Sequence, residues 1–164
     1  MPEYTMYDVL FQSAFSFVAC FGYSIVCNAP RRELIYCGIN GFLGWLIYLL
    51  VFVPHGQSVN ATLIATMAVT AIARFLSYQR EAPSILYHIP GILPLVPGAA
   101  VYNTMQAAIS GNILSTYSNA LTGFKLAGAI GIGSLLILVL PYRAFEFIPR
   151  FHKKAKQKES SSEE

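Results

Sequence analysis

Charged side chains are scarce in this sequence. It holds 11 Lys and Arg and 8 Asp and Glu among 164 residues, or 12%, about half the charged fraction of an average soluble domain. Between Val9 and Tyr142 only seven occur: Arg31, Arg32, Glu33, Arg74, Arg80, Glu81 and Lys125. A soluble fold of this size could not cover its surface with so few, and an apolar content of 55% excludes intrinsic disorder as well. Nucleic-acid binding is unsupported, because the basic excess lies in a terminal tail rather than on a folded face. Enzyme templates are missing too. The chain has no GxSxG elbow, HExxH, P-loop or paired acidic motif within an apolar run, so nothing points to catalysis or to a bound cofactor. Cys20, Cys27 and Cys37 lack metal-ligand spacing and read as small buried hydrophobes. No basic residue precedes the first apolar run, only Glu3 and Asp8, so no cleavable signal peptide is expected. What remains is an all-α integral membrane protein.

Four stretches lack any charge: 9–30, 34–73, 82–124 and 126–142. A helix needs about 20 apolar residues to cross the hydrocarbon core. The first stretch supplies one span, about Val9–Cys27. The second is twice too long and is broken by Pro54-His55-Gly56-Gln57, a turn cluster, which predicts spans Leu34–Val53 and Ser58–Leu76. The fourth predicts a last span from about Leu121 to Leu140. The third suits one span in length, yet Pro90, Pro94, Pro97, Gly91 and Gly98 crowd its first half. It either crosses as a broken helix or dips in and returns.

Positive charge decides between these, since cytoplasmic loops are enriched in Lys and Arg. Five spans with the N-terminus outside place Arg31, Arg32, Arg74, Arg80 and the six basic residues after Tyr142 on the inner side. A re-entrant fourth segment would put that basic tail outside. The expected organisation is therefore a short outer N-terminus (1–8), a five-span domain (9–150) and a charged cytoplasmic tail (151–164) expected to be disordered.

The broken span carries the strongest chemical signal. Proline removes an amide donor and clashes with the preceding turn, so Pro90, Pro94 and Pro97 cannot all occupy a regular helix. Backbone groups freed at membrane depth are tolerated only when buried in protein or lining a wet cavity, and transporters build binding sites at such breaks. A kink packed against neighbours is the bland alternative. Tyr102 and Asn103 follow within one turn and point to the cavity. Lys125 is the one charge inside an expected span, either a functional cation for a carboxylate or a lysine snorkelling to the outer interface. Arg74 likewise either snorkels or meets substrate, while Arg80 and Glu81 read as solvated topology determinants. His88 titrates near neutral pH and is a candidate for proton coupling, against an interfacial histidine. No Asp or Glu falls inside a span, so any further acid for coupling would come from a partner chain. Glycines at Gly38, Gly41, Gly44 and at Gly123, Gly128, Gly131, Gly133 read as close helix-packing faces, with some of that packing between subunits. Asn40 sits among them, placed to hydrogen-bond across such a contact.

The stretch from Asn28-Ala-Pro-Arg-Arg-Glu-Leu34 through Gly38-x-x-Gly-x-x-Gly-Trp-x-x-Tyr48, Ala73-Arg74 and Ala82-Pro83 to Ile89-Pro-Gly-Ile-Leu-Pro-Leu-Val-Pro-Gly98 and Tyr102 resembles the small five-span half of the threonine/serine exporter family. The likeness runs from about Asp8 to Tyr142. It implies a secondary exporter of small hydrophilic metabolites in the bacterial inner membrane. Fused members join such a half to a second five-span half with a soluble N-terminal domain. Lacking that domain, this chain resembles one component of a split exporter whose larger partner carries it. Split pairs of this kind are associated with dicarboxylate efflux, notably succinate, so either amino acids or dicarboxylates fit as substrate. The resemblance carries the Pro90–Gly98 motif with Tyr102 over as the translocation element. Rival readings are a non-transporting scaffold subunit and a homo-oligomeric channel or carrier acting alone.

Overall fold

The computed structural model describes residues 6–140. They form helices α1 (Met6–Val26), α2 (Leu34–His55), α3 (Ser58–Arg80), α4 (Ile85–Ile92), α5 (Gly98–Ile109) and α6 (Ile113–Leu138), with a 3-10 turn, Leu93–Leu95, between α4 and α5. Four helices are long and apolar enough to span a membrane. The two arms 85–95 and 98–109 together make a fifth candidate, bent by 48° at its break. The expected all-helical architecture of up to five spans is what the described residues show. The basic tail lies outside them.

Helix α2 is the centre of the assembly, packed against α1, α3 and α4, while α6 packs on α3 and α5. The Gly38, Gly41, Gly44 series explains the close approach. A Cβ at Gly38 would run into the Phe17 ring, one at Gly41 into the Cys20 thiol, and one at Gly44 into the Val69 side chain. Each missing side chain thus admits a neighbour from another helix of the same chain. Ser16 Oγ donates to Gly41 O at 3.0 Å across the α1–α2 contact.

Helix α3 can be buried although it carries a threonine row. Thr62, Thr66 and Thr70 each donate to the carbonyl four residues back at 2.7–2.8 Å, which closes their polarity on their own helix. Ala61, Ala65, Val69 and Ala73, fully buried, occupy the adjoining strip.

Three expected boundaries move. Helix α2 runs through Pro54 to His55 and ends where Gly56 takes φ +64°, a left-handed angle glycine adopts without strain. Helix α3 continues to Arg80, so Arg80 ends a helix rather than lying in a loop. Helix α6 begins at Ile113, eight residues before the expected Leu121. Its N-cap Asn112 accepts the Ser115 amide at 3.1 Å. Apolar continuity missed this start because residues 115–119 are polar on one side, whereas Ile113, Leu114, Tyr117, Leu121 and Phe124 keep a helical period.

Candidate functional site

The broken span divides into a held arm and a loose one. In α4, Tyr87, Pro90 and Gly91 are buried, and the arm packs on α2 and α3. Gly91 sits so close to α2 and α3 that a Cβ there would meet Asn40 Nδ2 and Val69 Cγ1. Proline at 90 leaves Leu86 O without its i+4 donor, and proline at 94 does the same to Pro90 O. Side chains from the neighbouring helices come to these carbonyls. The Cys37 thiol donates to Leu86 O at 3.4 Å and the Cys20 thiol to Pro90 O at 3.1 Å. Asn40 Nδ2 donates to Tyr87 O at 3.0 Å, with Val69 O at 3.4 Å. Leu93 N–H adds a tighter-turn bond to Pro90 O.

The bend follows at once. Val96 is extended (φ −60°, ψ 131°), as a residue preceding proline prefers, and Pro97 caps the new helix. Beyond it, α5 has no buried residue and packs mainly on α6. A Cβ at Gly98 would meet nothing within 4 Å. Between α5 and α6 lie two grooves. One, of about 330 Å³, is apolar and runs from Pro97 past Met105 and Phe124. The other, about 310 Å³, is lined by the amides of Asn103, Gln106, Asn112 and Asn119 with Ser110 and Ser115.

The expected site residues therefore separate. Pro90 and Gly91 belong to the packed arm, and Pro94 and Pro97 to the bend. Asn103 enters the polar groove. Tyr102 is 66% exposed on α5. Lys125 is exposed on α6 and lines neither groove. His88 faces a cavity of about 160 Å³ that it shares with Thr70, Arg74, Ser84 and Leu138. Its Nδ1 is buried without a hydrogen-bond partner among the described residues. Arg74 is 5% exposed and donates to Ile137 O at 2.7 Å and Leu140 O at 2.5 Å, tying α3 to the last turn of α6. Gly128 and Gly131 have open space where a Cβ would stand, unlike Gly38, Gly41 and Gly44.

One cluster escaped the sequence reading. Glu33, before α2, is buried. Its Oε2 accepts from Arg80 Nε at 2.6 Å and from the Tyr87 hydroxyl at 2.6 Å. The Arg80 guanidinium also donates to the Tyr36 hydroxyl and lies 4.2 Å over the Tyr36 ring. Arg80 is thus not the solvated loop charge expected of it, because α3 carries it onto Glu33. Burial alone would raise the Glu33 carboxyl, but the hydrogen bonds from Arg80 and Tyr87 outweigh that and hold it below the usual carboxylate range. The cluster fastens α2, α3 and α4 at one end of the bundle.

Comparison with known proteins places this arrangement. The family model described as Threonine/Serine exporter, ThrE, matches residues 12–140. The chain belongs to the threonine/serine exporter family. A threonine/serine exporter of Corynebacterium glutamicum is 29% identical over 119 residues, which cover 73% of this chain and 24% of that protein. An uncharacterized protein of Haemophilus influenzae is 28% identical over 149 residues, covering 84% and 49% respectively. A Mycobacterium tuberculosis protein named as a probable threonine/serine exporter is 28% identical over 126 residues, covering 74% and 24%. The chain thus spans a quarter to a half of the length of these relatives. No solved structure matches it.

Proposed function

We propose that this chain is the small membrane subunit of a bacterial exporter, moving threonine- or serine-like amino acids or small dicarboxylates out of the cytoplasm together with a larger five-span half. One observation carries the reading: a span bent by 48° whose first arm is fastened to the bundle and whose second arm packs mainly on α6. A hinge of this form at Val96–Gly98 lets α5 swing while α4 stays in place and α6 remains packed on α3. The amide-lined groove offers donors and acceptors suited to a zwitterion or a dicarboxylate, with Asn103 and Tyr102 on the moving arm. Lys125 adds a cation on the same hairpin for a substrate carboxylate. His88, at the junction of α3, α4 and α6, is the proposed proton-coupling group.

The α5–α6 hairpin also supports a partner. Lipid does not satisfy its amides, and water does not satisfy Ile109, Ile113 and Leu114, each at least 80% exposed. The larger half is the proposed occupant. In this orientation the N-terminus is outside and the Glu33–Arg80–Tyr87 cluster closes the cytoplasmic end.

The test compares amino-acid and dicarboxylate efflux from cells holding both halves or either alone. Efflux that requires both supports the assignment. Flux from this chain reconstituted by itself would replace it with a carrier acting alone. Pro94→Ala or Gly98→Leu should abolish efflux while leaving membrane insertion intact. Because Gly98 has open space within the chain, a loss there would report on contact with substrate or partner. Wild-type efflux in both variants would favour a scaffold.

A further inference from the structure

We infer that Cys20 and Cys37 are positioning residues, whose thiols stand in for the two amide donors that Pro94 and Pro90 remove from the broken span. This rests on the reading of that span as the transport element. The residue four before Pro90 is Leu86, and the residue four before Pro94 is Pro90. Those two carbonyls receive Cys37 and Cys20. Both thiols are fully buried, and neither has metal-ligand company, since no group of three or more His, Cys, Asp or Glu that could hold a metal occurs among the described residues.

The surroundings are shaped for the thiols. Gly41 leaves the space that Cys20 Sγ fills, and Ser16 ties the same α2 turn to α1. The S–H group is a weak donor, worth about 0.5–1 kcal/mol per S–H···O contact. Its role is to give Leu86 O the partner that Pro90 removes at membrane depth, and to add at Pro90 O a second donor beside the Leu93 N–H. Cysteine does this in a way the span's own backbone amides cannot. The donor sits on another helix, so the proline bend persists while the carbonyls before it stay satisfied. The arm before the bend is thereby fixed to α1 and α2, and motion is confined to the residues after Leu95. Asn40, donating to Tyr87 O between the two cysteine contacts, continues the same row.

Infrared spectroscopy of the purified chain tests this directly, since the S–H stretch falls in a window clear of other protein bands. With the exposed third thiol removed by Cys27→Ala, Cys20→Ser and Cys37→Ser assign the two remaining bands, and both should lie below the free-thiol position. Pro94→Ala restores an amide near Pro90 O and should shift the Cys20 band towards the free value while leaving the Cys37 band in place. Pro90→Ala should move the Cys37 band. Cys20 and Cys37 bands at the free-thiol position, or indifferent to their prolines, would overturn the inference. In cells holding both exporter halves, Cys20→Ala should lower efflux two- to fivefold, about the loss of one such bond, and Cys20→Ser should retain it. Both variants remove the sulfur volume, so their difference isolates the donor. Equal efflux in the two would overturn the positioning role. If the wild-type pair exports nothing, the proposed function fails, and the infrared result still decides whether the thiols hold the carbonyls.

Discussion

Three helices meet where Gly44 of α2, Val69 of α3 and Gly91 of α4 touch, and the junction supports a quantitative prediction. A Cβ on Gly44 would stand 2.5 Å from Val69 Cγ2 and 3.4 Å from Gly91 O. The first distance is a clash with a fully buried valine, while the second is tolerable. Gly44→Ala should therefore destabilise the chain by about 1–3 kcal/mol, the usual cost of overpacking. Val69→Ala removes two methyl groups from the same junction. In a bilayer the lipid tails are as apolar as the protein, so the loss is chiefly of packing contacts, on the order of 1–2 kcal/mol. In the double variant the new methyl at 44 occupies the space vacated by Cγ2. Its cost should fall short of the sum by at least about 1 kcal/mol, well outside the 0.5 kcal/mol within which independent sites add. Equilibrium unfolding of all four proteins in bicelles measures the cycle. Gly128→Ala, at a position with open space around it, is the control and should not destabilise, gaining up to about 1 kcal/mol of helix propensity. Additive costs at 44 and 69, or a neutral Gly44→Ala, would refute the claim that this glycine series packs within the chain.

Acidification tests the Glu33 cluster. The folded carboxyl titrates below its ordinary value, so its contribution is complete above the normal carboxylate range and disappears as pH falls through the lowered value. Wild-type thermal stability in detergent should drop across that acid window, and Glu33→Gln should start lower and respond less to pH. Tyr87→Phe removes one of the two donors to Glu33 Oε2 and should shift the acid loss to higher pH, as seen in the same melting series. Arg74→Met removes the one nitrogen, Nη1, that donates to both Ile137 O and Leu140 O. It should increase protease cleavage near the end of α6 in membrane vesicles, with no change in the α1–α4 fragments. Gly91→Ala, which would meet Asn40 and Val69, should lower the melting temperature, whereas Gly98→Ala should leave it unchanged.

The five candidate spans were readable because charge and apolar length are local properties, and so was the bend, because three prolines act on their own backbone. Harder to read were the groups that answer the prolines. Nothing near Pro90 or Pro94 in the chain shows that donors arrive from residues 37 and 20, separated from their acceptors by 49 and 70 positions. Arg80 was assigned to solvent because it was judged in its own loop, yet α2 and α3 run antiparallel and bring its end of α3 to Glu33. The start of α6 was hidden for a different reason. Counting apolar residues ends a helix where its polar face begins, although the period of Ile113, Leu114, Tyr117 and Phe124 continues through it.

The same distinction bears on how transport would work. A proline bend in isolation is only a weak point, since it leaves carbonyls bare before the break and amides bare after it and predicts no direction of motion. In this chain the carbonyls before the bend are matched by Cys20, Cys37 and Asn40, and Tyr87 is anchored to Glu33. The arm after it, from Gly98 to Ile109, has no buried residue. That asymmetry makes the proline cluster directional. Force applied to α5 is absorbed at Val96–Pro97 rather than passed into α4. A proton or substrate bound near His88 would therefore act on the last turn of α6 through the cavity it shares with Arg74 and Leu138, not by moving α4. Mutations that weaken the α4 contacts should accordingly blur the coupling of the two arms before they unfold the bundle.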